Sequence, residues 1–327
     1  MKSIIEEIER DVIDVTKTNF VHNDTSVVPS LNDCELTYER GSDKKGKKIE
    51  TCVLFVDVRN SVALTEKHHT QTMGRVYTAF TKAILKIARY HNGHTRNIIG
   101  DRVMIVFPSK DCYTNAVNCA ISINHIAQKV IDNQFDVDFK CGIGIDYGEL
   151  RVIKVGIQRN GNENGENKGL VWVGYPANIA SRLTDVANKT IEEDYFEVTR
   201  HPINPRAIKP LSSLPSLFGG SSNYDPNAPF YLNTVETVEM TVEEFANSIA
   251  QYDDGRLFTG GGKNIKFEKK LRKKEYSPIL ITASVFTGYK NANASKNDIV
   301  NNYWKEQKHQ IKNIKGKIFG SGLTWKI

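Results

Sequence analysis

The sequence predicts an α+β sandwich whose core runs strand, helix, strand, strand, helix, strand. The first supporting observation is an apolar run at residues 51–58 that is followed by a helical period over 72–91. The second is Gly100-Asp101, which stands between two β-branched runs in the manner of a hairpin tip. The third is another helical period, over 111–132, that leads into strand residues from 137 onward. Together they predict the ferredoxin-like βαββαβ order.

Size and composition favour a folded globular protein. The chain has 327 residues, a hydrophobic fraction of 39% and a formal net charge of +6, which suits one large domain or two small ones. The mild positive charge fits a polyanionic small substrate, and we expect no nucleic-acid partner. Five cysteines without a CxxC pair indicate free thiols and a cytoplasmic location. No apolar run approaches the roughly 18 residues of a membrane span, so we expect no membrane partner.

The first 48 residues are predicted to form a helix and a linker. Ser3 and Glu6 have the spacing of a capping box, and apolar residues recur at helical spacing to about residue 16. We expect this short helix to dock on the domain or on a second copy. Residues 17–48 are polar and broken, with a lysine-rich linker at 41–48. The main domain is therefore placed at 49–327.

The middle of the chain continues the alternation of strands and helices. Residues 137–148 and 149–157 are predicted as two strands joined by a glycine-containing turn, and 158–169 as a polar loop. A short strand at 170–174 then leads into a helix over 178–186.

The segment from about 192 to 276 interrupts the pattern and is predicted to be an insertion. It contains several prolines, paired glycines and one plausible helix at 242–251. Its basic run at 269–274 is expected to be a solvated, partly helical face. Order resumes at 278–286 with a strand that enters a helix. The chain then ends in two segments, 314–317 and 322–327, that resemble the arms of a hairpin.

Two acidic residues stand where predicted strands end. Asp57 follows the first apolar strand, and Asp101 lies at the predicted hairpin tip. An Asp in such a place is more often a cap or turn residue. If the two strands are neighbours, however, their carboxylates converge and repel each other unless a hard divalent cation such as Mg²⁺ or Mn²⁺ lies between them.

Asn178 and Arg182 are a second candidate pair. Their spacing of four residues places both side chains on one face of the predicted helix. An amide and a guanidinium that project together suit a developing negative charge, although such pairs are usually ordinary surface residues.

In these motifs the chain resembles the class III nucleotidyl cyclase catalytic domain. The resemblance covers about residues 50–183 and resumes from about 277. The motifs that carry it are listed in chain order: a hydrophobic strand ending in Asp57-Val58, Ile99-Gly100-Asp101, Gly142-Ile-Gly-Ile-Asp-Tyr-Gly148, Val173-Gly174 followed by Asn178-Ile-Ala-Ser-Arg182, and Ile314-Lys-Gly-Lys317.

The resemblance implies an enzyme that joins the ribose 3′-hydroxyl of a nucleoside triphosphate to its α-phosphorus and releases pyrophosphate. Two divalent ions, Mn²⁺ or Mg²⁺, would lie at Asp57, Val58 and Asp101. Asn178 would position the ribose, and Arg182 would stabilise the charge of the transition state. The family also implies a homodimer in which the metal residues and the Asn–Arg pair of each site come from opposite subunits.

Phosphate binding is implied for two further segments. Lys317 would contact the terminal phosphates, with Lys315 as the alternative. The loop after Asp57 is Arg59-Asn60-Ser61, where the family tends to have a Gly-Phe pair. Asn tolerates the left-handed conformation that such a turn needs, and Arg59 would add a donor for phosphate.

The residues that select the base depart from the family pattern. Purine cyclases read the base with side chains at the positions of Asn97 and Val171, and Val171 has no side-chain hydrogen bond to offer. In this respect the chain resembles the pyrimidine nucleotide cyclases of Pycsar anti-phage systems. That implies UTP or CTP as substrate and a cyclic nucleotide that a separate effector reads. Arg96 can only donate hydrogen bonds, so it would favour O4 of uracil if it reached the base.

Two other functions stay open from the sequence. One is a purine cyclase with atypical base contacts. The other is a cyclase-like regulatory module that binds a nucleotide without turnover. The presence of Asp57, Asp101, Asn178 and Arg182 together argues against the second, because a module that only binds has no need of all four.

Overall fold

The structure is a computed structural model that describes residues 1–37, 43–159, 162–208, 224–251, 257–309, 311 and 313–326. It divides into two compact units. The first comprises residues 1–189 and 275–327, and the second comprises 190–274. The second unit has nearly the bounds expected for the insertion.

The helices include short one-turn elements as well as longer amphipathic ones. In chain order they are α1 (Lys2–Lys17), α2 (Ser61–Lys67), α3 (Thr70–Tyr90), α4 (Cys112–Ile126), α5 (Asp132–Phe135), α6 (Tyr175–Val186), α7 (Val242–Asn247), α8 (Ala283–Ala292) and α9 (Asn297–Val300). A π-helical turn at Ala127–Ile131 joins α4 to α5.

The strands range from two to nineteen residues. In chain order they are β1 (Asn19–Asp24), β2 (Asp43–Val58), β3 (His94–Ile99), β4 (Arg102–Val106), β5 (Cys141–Arg159), β6 (Asn162–Val173), β7 (Thr190–Pro202), β8 (Glu236–Thr241), β9 (Ile249–Gln251), β10 (Leu257–Thr259), β11 (Gly262–Glu275), β12 (Ile279–Thr282), β13 (Lys305–Glu306) and β14 (Ile318–Ser321).

The main sheet confirms the predicted core. Its strand order among the described residues is β13-β14-β12-β5-β2-β4-β3, with β1 beside β2 and β6 beside β5. The elements β2, α3, β3, β4, α4 and β5 are the βαββαβ unit, and their strands lie in the ferredoxin-like order β5-β2-β4-β3. The predicted α+β fold is therefore present, with long additions.

Side chains of β2 alternate between two cores. Cys52, Leu54 and Val56 pack under α3, α4 and α8 on one face of the sheet. Ile49 and Val53 belong to a smaller core on the other face, which α6 covers. This period of two is what a central strand with both faces buried requires.

The N-terminal region differs from the prediction. Residues 43–48, expected to be linker, are the start of β2 and pair in parallel with β1. Lys47 is half-buried and bonds to Asp33 at 2.7 Å, so a lysine-rich composition did not mean a solvated linker. Helix α1 begins at Lys2, so Ser3 is not its cap as the capping-box spacing predicted, and none of the residues of the helix is buried. The part of the linker at residues 38–42 lies outside the described residues.

Two further boundaries also differ. Gly148 does not turn the chain; it pairs with Thr51, and β5 continues to Arg159. Most of the expected polar loop belongs to β6, which pairs with the far half of β5. At the C-terminus β14 pairs with β12 and β13, so the predicted two-armed hairpin is wrong. In each case long-range backbone pairing overrides local turn composition.

The second unit contains the three-stranded sheet β11-β7-β8. The basic run at 269–274 lies on β11 rather than on a helix. Its charges are paired across the sheet, for example Lys269 with Asp194 at 2.6 Å and Arg272 with Glu193 at 2.6 Å. On this sheet Phe196 stacks on Phe245 of α7, with 4.1 Å between ring centroids.

All five cysteines are free, and four of them are buried. Within the described residues no helix is both long enough and apolar enough to cross a membrane.

Candidate active site

Asp57 and Asp101 lie at the same end of neighbouring strands. Strands β2 and β4 pair antiparallel with Val56 opposite Val103, so Asp57 lies across from Arg102, the residue after Asp101. The turn between β3 and β4 contains Gly100, whose φ of 60° lies in the left-handed region that glycine adopts without strain. The hairpin tip predicted from Gly100-Asp101 is therefore present, and it brings the two acidic residues to one edge of the site.

These residues fit a hard divalent cation. The carboxylates of Asp57 and Asp101 supply only oxygen ligands, the type that Mg²⁺ and Mn²⁺ prefer. Among the described residues no cluster of three or more His, Cys, Asp or Glu could hold a metal, so substrate phosphates would have to supply further ligands. The side chain of Val58 is buried in the core. Only its backbone carbonyl could contribute to the site.

The loop after Asp57 has the conformation that the sequence suggested, but its residue Arg59 is bonded within the fold. Asn60 is left-handed, with φ 54° and ψ 34°, and it precedes α2, where Ser61 is the first residue. Arg59, expected as a phosphate donor, is only 5% exposed. Its Nε donates to the carbonyl of Ala187 at 2.7 Å, and its Nη2 donates to the carbonyl of Thr184.

The position of Arg59 has a simple physical cause. The carbonyls that it binds lie at the C-terminal end of α6, where backbone acceptors lack helical partners and attract a cation. Burial lowers the pKa of Arg59, and the nearby carboxylate of Asp57 partly offsets that shift. The expected substrate donor is therefore occupied inside the fold.

Asn178 and Arg182 are both exposed on one face of α6. The helix lies close to β5 because Gly144 has no side chain: a Cβ there would meet the backbone nitrogen of Thr184 at 2.6 Å. Arg182 Nη1 donates to the carbonyl of Asn313 at 3.3 Å. This contact places the exposed face of α6, which carries Asn178 and Arg182, beside the loop that carries Lys315 and Lys317.

The two lysines differ in their surroundings. Lys317 Nζ lies 2.9 Å from the carboxylate of Glu306 on β13. Lys315 is exposed, and no described residue forms an ion pair with it. Gly316 between them has a φ of 95°, which only glycine adopts without strain.

The segments expected to select the base meet in the structure. Asn97 and Val171 are both exposed, and their neighbours Arg96 and Trp172 are in contact, with the guanidinium carbon 6.0 Å from the ring centroid. A bulge in β3 between Thr95 and Asn97 leaves Arg96 without a partner residue in β4.

Arg96 also has contacts within the fold. Its Nη2 donates to the carbonyl of Val28 at 3.4 Å, and its Nε is buried without a partner in the described structure. Burial lowers its pKa. Asn97 stays available as a polar contact for the base.

Sequence reasoning missed Arg102, Ser181, Asp185 and Trp172. Arg102 Nη2 donates to Asp57 Oδ2 at 2.9 Å and also bonds to Asp185, while Nη1 donates to Ser181 Oγ at 3.0 Å. The spacing of Asp185, seven residues after Asn178, would have placed it on the same helix face. No sequence pattern pointed to its partner on β4.

The sequence is similar to those of known nucleotidyl cyclases. Residues 44–190 match the model of the adenylate and guanylate cyclase catalytic domain. A uridylate cyclase of Burkholderia cepacia is 33% identical over 172 residues, which cover 51% of this chain and 70% of that protein. A uridylate cyclase of Gulbenkiania mobilis is 26% identical over 196 residues, 56% of this chain and 68% of that protein.

A cytidylate cyclase of Staphylococcus aureus is similar over a shorter span. It is 29% identical over 107 residues, which cover 30% of this chain and 25% of that protein. The domain match lies on the βαββαβ core and on α6, the elements that hold Asp57, Asp101, Asn178 and Arg182. Because residues 44–190 match this domain and the chain is 33% identical to a uridylate cyclase of which it covers 70%, the chain belongs to the class III nucleotidyl cyclase family.

Proposed function

We propose that this protein is a pyrimidine nucleotide cyclase that converts UTP, and less readily CTP, into the 3′,5′-cyclic monophosphate and pyrophosphate. The observation that carries the proposal is the pair Asn97 and Val171, which lacks the side chains that read a purine. The names of the similar uridylate and cytidylate cyclases support it. The preference for UTP rests on those names, because Arg96, which suggested uracil, is bonded within the fold.

The residues divide the reaction between them. The 3′-hydroxyl gives its proton to water and its oxygen attacks the α-phosphorus, while the bond from that phosphorus to the bridging oxygen breaks and pyrophosphate leaves. Divalent ions at Asp57, Asp101 and the carbonyl of Val58 would favour the ionised 3′-oxygen and neutralise the triphosphate. Asn178 holds the ribose by its amide.

Arg182 donates to the α-phosphoryl oxygens as charge develops on them. Its exposed position on α6 leaves the guanidinium accessible for this purpose. Lys315, with Lys317 beside it, binds the terminal phosphates. Asn60 and Ser61 offer polar groups where the first strand ends.

We further propose a cytoplasmic homodimer with composite sites, in which Asp57 and Asp101 of one subunit act with Asn178 and Arg182 of its partner. The product would be a second messenger of an anti-phage system, read by a separate effector protein. These assignments follow from the resemblance to Pycsar cyclases.

The function is tested by incubating the purified protein with Mn²⁺ and each of the four nucleoside triphosphates in turn. Mass spectrometry should identify cyclic UMP as the dominant product, with Arg182→Ala as the inactive control. Cyclic AMP or cyclic GMP as the main product would overturn the pyrimidine assignment. No product from any nucleotide would instead favour a regulatory module that binds without turnover.

A further inference from the structure

Arg102 joins three side chains of the candidate site. It is the first residue of β4, directly after Asp101, and its guanidinium bonds to Asp57 of β2 and to Ser181 and Asp185 of α6. One nitrogen, Nη2, bonds to both carboxylates, while Nη1 bonds to the hydroxyl of Ser181. The arginine thus bridges the strand end that carries Asp57 and the helix that carries Arg182.

The environment makes this contact stronger than an ordinary surface ion pair. The side chain of Asp57 is 16% exposed and that of Arg102 is 29% exposed. Water screens such a pair less than it screens a fully exposed one, and a carboxylate left there without a cation would be costly. A planar guanidinium also fixes the direction of the carboxylate, which a lysine could not do as well.

We propose that Arg102 is a positioning residue, which holds the carboxylate of Asp57 against α6. A divalent cation that binds Asp57 must displace Arg102 from this carboxylate. The inference rests on the proposed function, because it takes Asp57 as a metal ligand. Arg102, at 2.9 Å, is the nearer of two arginines to Oδ2 of Asp57, since Nη1 of Arg59 lies at 3.5 Å. A metal that binds this oxygen competes first with Arg102. When Arg102 is displaced it keeps its contacts with Asp185 and Ser181.

This competition has a direct consequence for metal affinity. Without nucleotide, a metal gains the carboxylate of Asp57 only at the expense of a charge-assisted hydrogen bond. With nucleotide, the triphosphate brings additional oxygen ligands and negative charge. The protein should therefore bind Mn²⁺ weakly alone and more tightly together with its substrate.

Mn²⁺ binding in the absence of nucleotide tests the proposal. Free Mn²⁺ is measured by electron paramagnetic resonance in a titration of the full-length protein. Arg102→Gln should bind Mn²⁺ about tenfold more tightly than the wild type, the size expected for loss of one charge-assisted bond. Arg102→Lys keeps a cation but not the planar fork of donors, so its gain in Mn²⁺ affinity should be smaller than that of Arg102→Gln. A purely structural role would not produce this difference.

Asp185→Asn provides a test of opposite sign. In this variant Arg102 no longer divides its hydrogen bonds between the carboxylates of Asp185 and Asp57, so its bond to Asp57 becomes stronger. Mn²⁺ binding should therefore weaken. Arg151→Gln is the matched control, because this exposed arginine bonds to Glu149 at 2.8 Å on β5. Its Mn²⁺ affinity should equal that of the wild type. Circular dichroism and thermal unfolding establish that each variant is folded.

Asp57→Asn separates this inference from the proposed function. If that variant binds Mn²⁺ as the wild type does, Asp57 is not the ligand and the proposed metal site fails. If Asp57→Asn abolishes binding but Arg102→Gln binds no more tightly than the wild type, only the role of Arg102 is overturned. Absence of measurable binding by both the wild type and Arg102→Gln would overturn it as well. If Arg102→Gln does not fold, tighter Mn²⁺ binding by Asp185→Asn than by the wild type would overturn the proposed role of Arg102.

Discussion

Gly142 of β5 and Arg59 at the end of β2 fit together because glycine has no side chain. A Cβ at Gly142 would overlap the guanidinium of Arg59 and would lie 2.5 Å from the carbonyl oxygen of Ala187. The guanidinium passes over Gly142 to reach the last carbonyls of α6. One glycine and one arginine thus tie the first strand to the helix that carries Asn178 and Arg182.

Gly142→Ala should destabilise the protein. The added methyl group must displace Arg59 or the end of α6, and overpacking of this kind costs about 1–3 kcal/mol. The free energy of unfolding in urea measures the effect. Gly169→Ala on β6 is the control, since a Cβ there meets nothing within 4 Å. Equal stability of the two variants would contradict the close packing described.

Arg59→Met should lower stability rather than substrate affinity. The change leaves the carbonyls of Thr184 and Ala187 without their donor, at a cost of about 2–4 kcal/mol. Urea unfolding measures that cost, and initial rates at varied UTP give KM for the folded enzyme. If the variant has normal stability but a strongly raised KM, Arg59 is a phosphate donor as first expected.

Asp57→Ala and Arg182→Ala should each be inactive alone and recover activity when mixed. Random exchange puts half of the molecules into mixed dimers with one intact site, so recovery should approach about a quarter of the wild-type rate. Cyclic nucleotide production measures it, and mass photometry verifies dimer formation. No recovery between folded, dimerising variants would count against shared sites.

Lys315 should contribute more to substrate binding than Lys317. Lys317 already pairs with Glu306 at 2.9 Å, whereas Lys315 has no ion-pair partner among the described residues. Lys315→Ala should raise KM for the nucleotide about fivefold, and Lys317→Ala should raise it less. Lys305→Ala on β13 is a control for the loss of one nearby positive charge. A larger increase in KM for Lys317→Ala than for Lys315→Ala would instead support Lys317 as the main phosphate contact, as the family resemblance implies.

Stability should fall on mild acidification because of His91. Burial, with a smaller effect of Lys296, holds the pKa of His91 below its ordinary value of 6.5. Its Nε2 lies 2.9 Å from Ser122 Oγ, which also accepts from Trp325 Nε1 at 2.8 Å. As the pH falls below 6.5 the unfolded chain takes up a proton that the folded protein resists, so the folded state loses stability.

Thermal unfolding between about pH 7.5 and 5 measures this effect of His91. His91→Gln keeps a polar group near Ser122 but does not titrate. The variant should lose less stability than the wild type over this range. Parallel curves for the two proteins would show that His91 is not responsible.

Local pattern was enough to predict the core of this fold, and also the turn and the helix face that make up the candidate site. The periods of two and 3.6 residues predicted the βαββαβ order, because each lies within one short segment. Gly100-Asp101 and the spacing of Asn178 and Arg182 likewise specify a turn and a helix face without any distant partner. The conformation of Asn60 also followed from its residue type.

The tertiary structure decided which groups are bonded inside the fold and which are left exposed. Residues 43–48 became strand, and Gly148 stayed inside β5, because neighbouring strands supplied hydrogen bonds that a sequence window cannot contain. Arg59 was expected as a free phosphate donor, yet it caps the end of α6. Arg102, which no sequence pattern singled out, bonds to Asp57. Residue types and their spacing were enough to indicate which chemical groups lie near the candidate site. Contacts between distant segments decided their partners, since burial and charge pairing depend on what the folded chain brings together.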